Sequence, residues 1–134
     1  MIVKKINKKK ILVAEDEKSI QRAIGMKFVI AGFDVVIADD GAIALFEMTK
    51  KKFDVVLLDL MMPNIDGFGV LEELKKRGDH TPVIVSSNLS QENDIKKEAE
   101  FLENRYKHCN YFLFGHSHQQ KVFSHDQLTK KVKE

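Results

Sequence analysis

The sequence predicts an α/β fold: a (βα)5 chain forming a doubly wound, five-stranded parallel sheet with helices on both faces. Five short apolar runs alternate with segments of helical period. The runs are apolar throughout rather than alternating, as strands covered on both sides must be. A length of 134 residues with 43% hydrophobic composition fits one such domain.

Ile11-Leu12-Val13-Ala14 reads as the first strand. The first helix is expected over 18–31, with Ile20, Ala23, Ile24, Phe28 and Ala31 on one face and Gly32 as its stop. Val35-Val36-Ile37-Ala38 is the second strand. Asp39 or Asp40 caps the next helix, which turns Ala42, Leu45 and Phe46 inward. Val55-Val56-Leu57-Leu58 is the third strand. The third helix starts at Asp66, buries Val70, Leu71 and Leu74, and stops at Gly78. Val83-Ile84-Val85 is the fourth strand, followed by a helix over 91–105 with Ile95, Ala99 and Leu102 inward. Tyr111-Phe112-Leu113-Phe114 is the fifth, and a short helix over 125–133 carries Leu128 and Val132. Right-handed crossovers fold this series into a five-stranded parallel sheet wrapped on both faces, and the order expected for it is 2-1-3-4-5, the flavodoxin-like arrangement. Residues 1–9 form a basic lead-in, and 10–134 form the domain. The five lysines between Lys4 and Lys10 read as a solvated run.

Composition excludes several functions. The 22 basic and 20 acidic residues leave a net charge of +2, too balanced to signal direct nucleic-acid binding. No apolar run approaches the length of a membrane span. The run after the basic start is too short for a signal-peptide core. A lone cysteine, Cys109, gives no internal disulfide and suits a reducing compartment. The expectation is a cytoplasmic chain with no room for a second output domain.

In a doubly wound sheet, ligands sit at the carboxyl ends of the strands. Glu15 and Asp16 end the first strand and Asp59 ends the third, and in this order those strands are neighbours. Carboxylates held this close repel, so a cation is the natural compensation. Oxygen ligands with open positions suit Mg2+. Each carboxylate could instead only cap the helix that follows; three converging at strand ends favour a site.

Asp59-Leu60-Met61-Met62-Pro63-Asn64-Ile65-Asp66-Gly67 resembles the phosphoacceptor loop of response-regulator receiver domains. Lys10-Ile11-Leu12-Val13-Ala14-Glu15-Asp16-Glu17 is similar to their first strand and acidic pair, and Thr81-Pro82-Val83-Ile84-Val85-Ser86-Ser87 to their fourth strand. The resemblance covers about residues 10–99. It implies a bacterial two-component phosphorelay protein of the stand-alone, chemotaxis-regulator kind: a phosphoacceptor, not an enzyme in the ordinary sense. Asp59 would take a phosphoryl group from a histidine kinase or phosphotransfer protein. Glu15, Asp16 and Asp59 would hold Mg2+, with the Met61 backbone carbonyl as a further ligand. Ser87 would be the switch hydroxyl and Tyr111 the switch aromatic. The downstream partner would be another protein, and a homodimer is possible in such a family. Pro63 and Gly67 read as structural, shaping the loop and relieving crowding at the third helix.

The chain departs from that pattern in its last third, 100–121 above all. With Tyr111 as the switch aromatic, the lysine usual after strand five falls on Phe114, and neither Gly115 nor His116 replaces it. A missing cation weakens the switched state, so output coupling is expected to be impaired. Asn88 stands where a small residue is common. Apolar Met61 and Leu89 occupy water-gating positions, which implies slow dephosphorylation. A pseudo-receiver that binds partners without phosphorylation is the alternative. Gly115-His116-Ser117-His118 resembles an element of calcineurin-like metallophosphoesterases, a minor alternative; that family's Asp-x-His, Gly-Asp-x-x-Asp and Gly-Asn-His segments are absent from this sequence.

Overall fold

The computed structural model describes residues 8–87 and 111–114. Along them run β1 (Lys10–Ala14), α1 (Lys18–Ile30), β2 (Asp34–Ala38), α2 (Gly41–Lys50), β3 (Val55–Asp59), α3 (Gly67–Arg77), β4 (Val83–Ser87) and β5 (Tyr111–Phe114). The five strands are parallel, in the order β2-β1-β3-β4-β5. This is the order the sequence predicts. The helices expected over 91–105 and 125–133, the residues Asn88 and Leu89, and the Gly115 to His118 element lie outside the described residues, as does the start of the basic lead-in.

The continuity of the apolar runs has a direct cause. Successive strand residues point to opposite faces, and both faces carry helices. Leu12, Ala14, Val56 and Leu58 pack on one face with Ala44, Leu45, Val70, Leu71 and Leu74 of α2 and α3. Ile11, Val13 and Leu57 pack on the other against Ile24 and Phe28 of α1, with Phe33 and Val35. Phe28 and Phe33 meet edge to face at 5.4 Å. Each fully buried Leu or Ile contributes about 1.5–3 kcal/mol through removal from water.

Helix ends follow the expected chemistry. Asp40 caps α2, its Oδ1 accepting from the Ile43 N–H at 2.8 Å. Asp66 caps α3 through the Gly69 N–H at 2.8 Å, and Gly78 ends it in the left-handed region at φ 64°.

Two helix faces differ from those the periodicity predicts. In α1 the buried residue is Gln21, with Ile20, Ile24 and Phe28 half-buried, while Ala23 and Ala31 are exposed. The Gln21 amide donates to the Glu15 carbonyl and, at 2.6 Å, to Asp39 Oδ1, and these bonds fix the rotation of the helix. In α2, Gly41, Ala44 and Leu45 are buried, whereas Ala42 is exposed and the Phe46 ring lies at the surface under the Lys50 ammonium, 5.0 Å away.

A parallel sheet segregates its two rims. Glu15, Asp16, Asp39, Asp40 and Asp59 gather at the carboxyl ends of the strands. Lys9, Lys10, Lys51 and Lys52 precede strands at the opposite rim or begin them, and Lys75, Lys76 and Arg77 end α3 there, interspersed with Asp34, Asp54 and Asp79.

Candidate functional site

The carboxyl ends of β1 and β3 lie side by side, with Ala14 in register with Leu58. Just past β1, the Glu15 N–H donates to the Ala38 carbonyl at 3.1 Å, continuing the ladder one residue beyond the strand. That bond draws the Glu15 side chain inward, to 4% exposure. Its Oε1 accepts from the Glu17 N–H at 3.1 Å. Asp16 stands exposed beside it. Asp59 closes β3 in register with Ser86 and is 6% exposed. Its Oδ1 accepts from the Met61 N–H at 3.1 Å. One carboxylate oxygen from each of Glu15, Asp16 and Asp59 lies within 4.8 Å of the others.

The loop from Asp59 to α3 is built for this placement. The Leu60 N–H donates to the Ser86 carbonyl at 3.1 Å, and the Gly67 N–H returns to the Leu60 carbonyl at 3.0 Å. Gly67 permits the return: a Cβ there would stand 2.5 Å from the Asp59 carbonyl oxygen. Asn64 takes φ 65°, which its short amide tolerates. Its Nδ2 donates to Asp40 Oδ2 at 2.6 Å, so one carboxylate both caps α2 and ties down the loop. Gly41 lets the same loop approach α2, since a Cβ there would meet the Ile65 carbonyl oxygen at 2.0 Å.

Among the described residues, the electrostatics are those of an acid pocket short of positive charge. Burial pushes the Glu15 carboxyl up from 4.5 to about 8, with the neighbouring Asp59 and Asp16 carboxylates adding to the rise and the Glu17 N–H opposing it. Asp39 and Asp40, at the rim, go the other way. Asp39 is lowered by its hydrogen bond from Lys18, and Asp40 by that from the Ile43 N–H. A carboxyl that keeps its proton to about pH 8 beside two other acids fits the chemistry of a divalent-cation donor set: hard oxygens, gathered and undercompensated.

The structure therefore brings Glu15, Asp16 and Asp59 together, with the Met61 backbone hydrogen-bonded to Asp59. Ser87 ends β4 in register with Phe114, and Tyr111 is in register with Ile84, three steps earlier on the ladder. Phe114 thus occupies the strand-five position beside Ser87. Three supports escape a reading of the sequence for acids. They are Gln21 behind Glu15, the Asp40–Asn64 bond, and Gly41 under the loop. Only Asn64 carries a local signal, its tolerance of positive φ.

The sequence model of one protein family, the response regulator receiver domain, matches residues 11–106. Among curated proteins, the chain is 44% identical over 87 residues to the probable transcriptional regulator ycf27 of Galdieria sulphuraria, covering 65% of this chain and 34% of that one. It is 36% identical over 85 residues to the transcriptional activator protein PfeR of Pseudomonas aeruginosa, covering 63% and 28%. The chain spans about a third of the length of these curated relatives. Among solved structures it is similar to the receiver domain of the Francisella response regulator 1452, at 34% identity and TM-score 0.71 over 93% of each chain. It is also similar to the response regulator TrrA of Thermotoga maritima, solved in complex with Mg(2+)-BeF, at 26% identity and TM-score 0.69 over 93% of this chain and 96% of that one.

Proposed function

The chain belongs to the response regulator receiver domain family, and from that membership we propose that it is a phosphorelay component whose Asp59 accepts a phosphoryl group from the phosphohistidine of a sensor kinase or phosphotransfer protein. The single observation that carries the reading is the convergence of Glu15, Asp16 and Asp59 within 4.8 Å at adjacent strand ends. An Asp59 carboxylate oxygen attacks phosphorus, the N–P bond breaks, and the released imidazole takes up a proton. The product is an acyl phosphate on Asp59. Glu15 and Asp16, with Asp59 and the Met61 carbonyl, would hold Mg2+, which supplies neutralisation of phosphoryl oxygens when bound. The Mg(2+)-BeF complex of TrrA supports extending a magnesium-dependent site to this chain.

The protein's own groups do the rest. The hydrogen bonds of Leu60 and Gly67 hold the backbone on either side of the loop, so Asp59 is positioned before any donor arrives. The Met61 N–H fixes one Asp59 oxygen. Ser87 and Tyr111 are proposed as the switch pair that passes the new charge to a partner protein. No helix among the described residues is long and apolar enough to cross a membrane. The proposed setting is the cytoplasm.

One observation favours a second reading. Phe114, not a lysine, lies in register with Ser87. A receiver with no cation there has less to stabilise its switched state, as a pseudo-receiver that binds without phosphorylation would. The discriminating experiment is intact mass after incubation with Mg2+ and a small acyl-phosphate donor, beside an Asp59→Asn control. One added phosphoryl group that the control lacks is the expected result. No addition to the folded protein, under conditions that label an ordinary receiver, would replace the first reading with the second.

A further inference from the structure

We infer that Asn64 is a positioning residue for the proposed metal site: its amide, latched onto Asp40, holds the bend that carries the Met61 carbonyl. The inference rests on the function proposed for Asp59 and deepens it. Met61 lies between a fixed point and a bend. Its N–H donates to Asp59 Oδ1 at 3.1 Å, and the chain bends at 63–65, two residues on. Its own side chain is 71% exposed, so packing of that side chain does not hold the carbonyl in place. What holds the bend holds the carbonyl.

Asn64 is the one non-glycine residue at positive φ among the described residues, at 65°. An L residue needs support to stay in that region, and such enforced positions gather in functional loops. Here the enforcement is visible. The Asn64 Nδ2 donates to Asp40 Oδ2 at 2.6 Å. One residue further along both segments, the Gly41 N–H donates to the Ile65 carbonyl at 3.1 Å. Asp40 is itself immobilised, because its other oxygen caps α2 through the Ile43 N–H at 2.8 Å. That N–H and the Asn64 amide hold the Asp40 carboxyl below the usual carboxylate range. The latch is therefore a bond to a full negative charge, stronger than one between neutral groups.

The loop as a whole has other anchors. The Leu60 N–H donates to the Ser86 carbonyl and the Gly67 N–H to the Leu60 carbonyl, while Met62 and Ile65 pack against the core. The loop therefore keeps its course without the latch. What the latch adds is precision over the span from Met61 to Asn64, where Met61, Pro63 and Asn64 are exposed and Met62 is the buried member. A divalent ion reads that precision more finely than folding does. Mg2+ demands near-ideal octahedral placement of its oxygens, and groups that orient a ligand from behind govern affinity by a factor of about 10–100. A carbonyl left free to wander by a fraction of an ångström costs ion affinity while stability stays nearly level.

The test is the affinity of the full chain for Mg2+ alone, by calorimetry, beside the melting temperature and the exchange rate of the Met61 amide. Asn64→Gly removes the amide, adds no charge and suits the left-handed position. It should melt near the native temperature, bind Mg2+ about tenfold more weakly and exchange the Met61 amide faster. Asn64→Asp sets a carboxylate against Asp40 and adds a negative charge near the pocket. Charge alone would tighten Mg2+ binding; loss of the latch weakens it, which is the result expected. Combined with Asp40→Asn, which keeps a capping oxygen for α2, the same substitution rebuilds the bond with donor and acceptor exchanged, and most of the lost affinity should return. Native Mg2+ affinity in Asn64→Gly would overturn the inference. So would tighter binding by Asn64→Asp, or an exchanged pair that recovers nothing. Labelling of Asp59 by an acyl-phosphate donor is read separately by mass. A native chain that neither binds Mg2+ nor is labelled would overturn the function proposed for Asp59, and this inference with it. A native chain that does both, with Asn64→Gly unchanged, overturns this inference alone.

Discussion

Glu15 concentrates the cost of the site in one residue. Its folded carboxyl titrates at about 8 against 4.5 for an unburied glutamate. Between those values the unfolded chain has lost the proton and the folded chain has kept it, so rising pH favours unfolding. The stability is fully present below the lower value and is lost as pH climbs through the window to the upper one. In metal-free buffer the folded state is expected to lose about 1–3 kcal/mol between pH 5 and 8, some 5 °C or more in melting temperature. Glu15→Gln should flatten that slope, and Mg2+ should raise the melting temperature of the native chain most at the alkaline end. Thermal melts at fixed ionic strength check each point; a native profile that rises with pH would contradict the assignment. The residue identities of the acid pocket were legible in the sequence because carboxylates after apolar strands have few other reasons to gather. The Glu15 shift was not, since it depends on a burial that the Ala38 carbonyl enforces.

At the scale of elements, the strands were easier to read than the helix faces. Burial on both sides leaves a strand no polar position, so Ile11 to Ala14 and Val55 to Leu58 announce themselves. A helix face is set by whatever anchors its rotation, and in α1 the anchor is polar. Hydropathy assigns Ala23 and Ala31 inward; the Gln21 amide, bonded to the Glu15 carbonyl and Asp39, turns the helix instead. In α2, helical period assigns Phe46 inward with Leu45, but its ring is spread on the surface beneath Lys50. Gln21→Leu tests the anchor. It leaves the Glu15 carbonyl without that donor and Asp39 with Lys18 as its remaining partner, at an expected loss of about 1–3 kcal/mol. A urea midpoint lowered with the slope unchanged is the predicted signature. An unchanged midpoint would mean the helix is held by its apolar contacts alone.

For the whole molecule, topology was the most legible property of all. Alternating runs and right-handed crossovers leave few arrangements, and the order expected among them is the one observed. Among the described residues, the parallel sheet gathers Glu15, Asp16, Asp39, Asp40 and Asp59 at its carboxyl rim, a local concentration of negative charge that the nearly neutral total of the chain, +2, conceals. A body of that kind is turned before it is touched. An approaching donor with a cationic face is steered toward the acid rim. Association with such a donor should slow steeply as salt rises, while the rate of phosphoryl transfer within the complex stays level. Stopped-flow mixing at graded ionic strength separates the two, and equal sensitivity of both rates would exclude steering. Loading the pocket with a divalent ion would soften the negative pole and relax that hold, so the ion that the proposed transfer requires would also ease release of the donor.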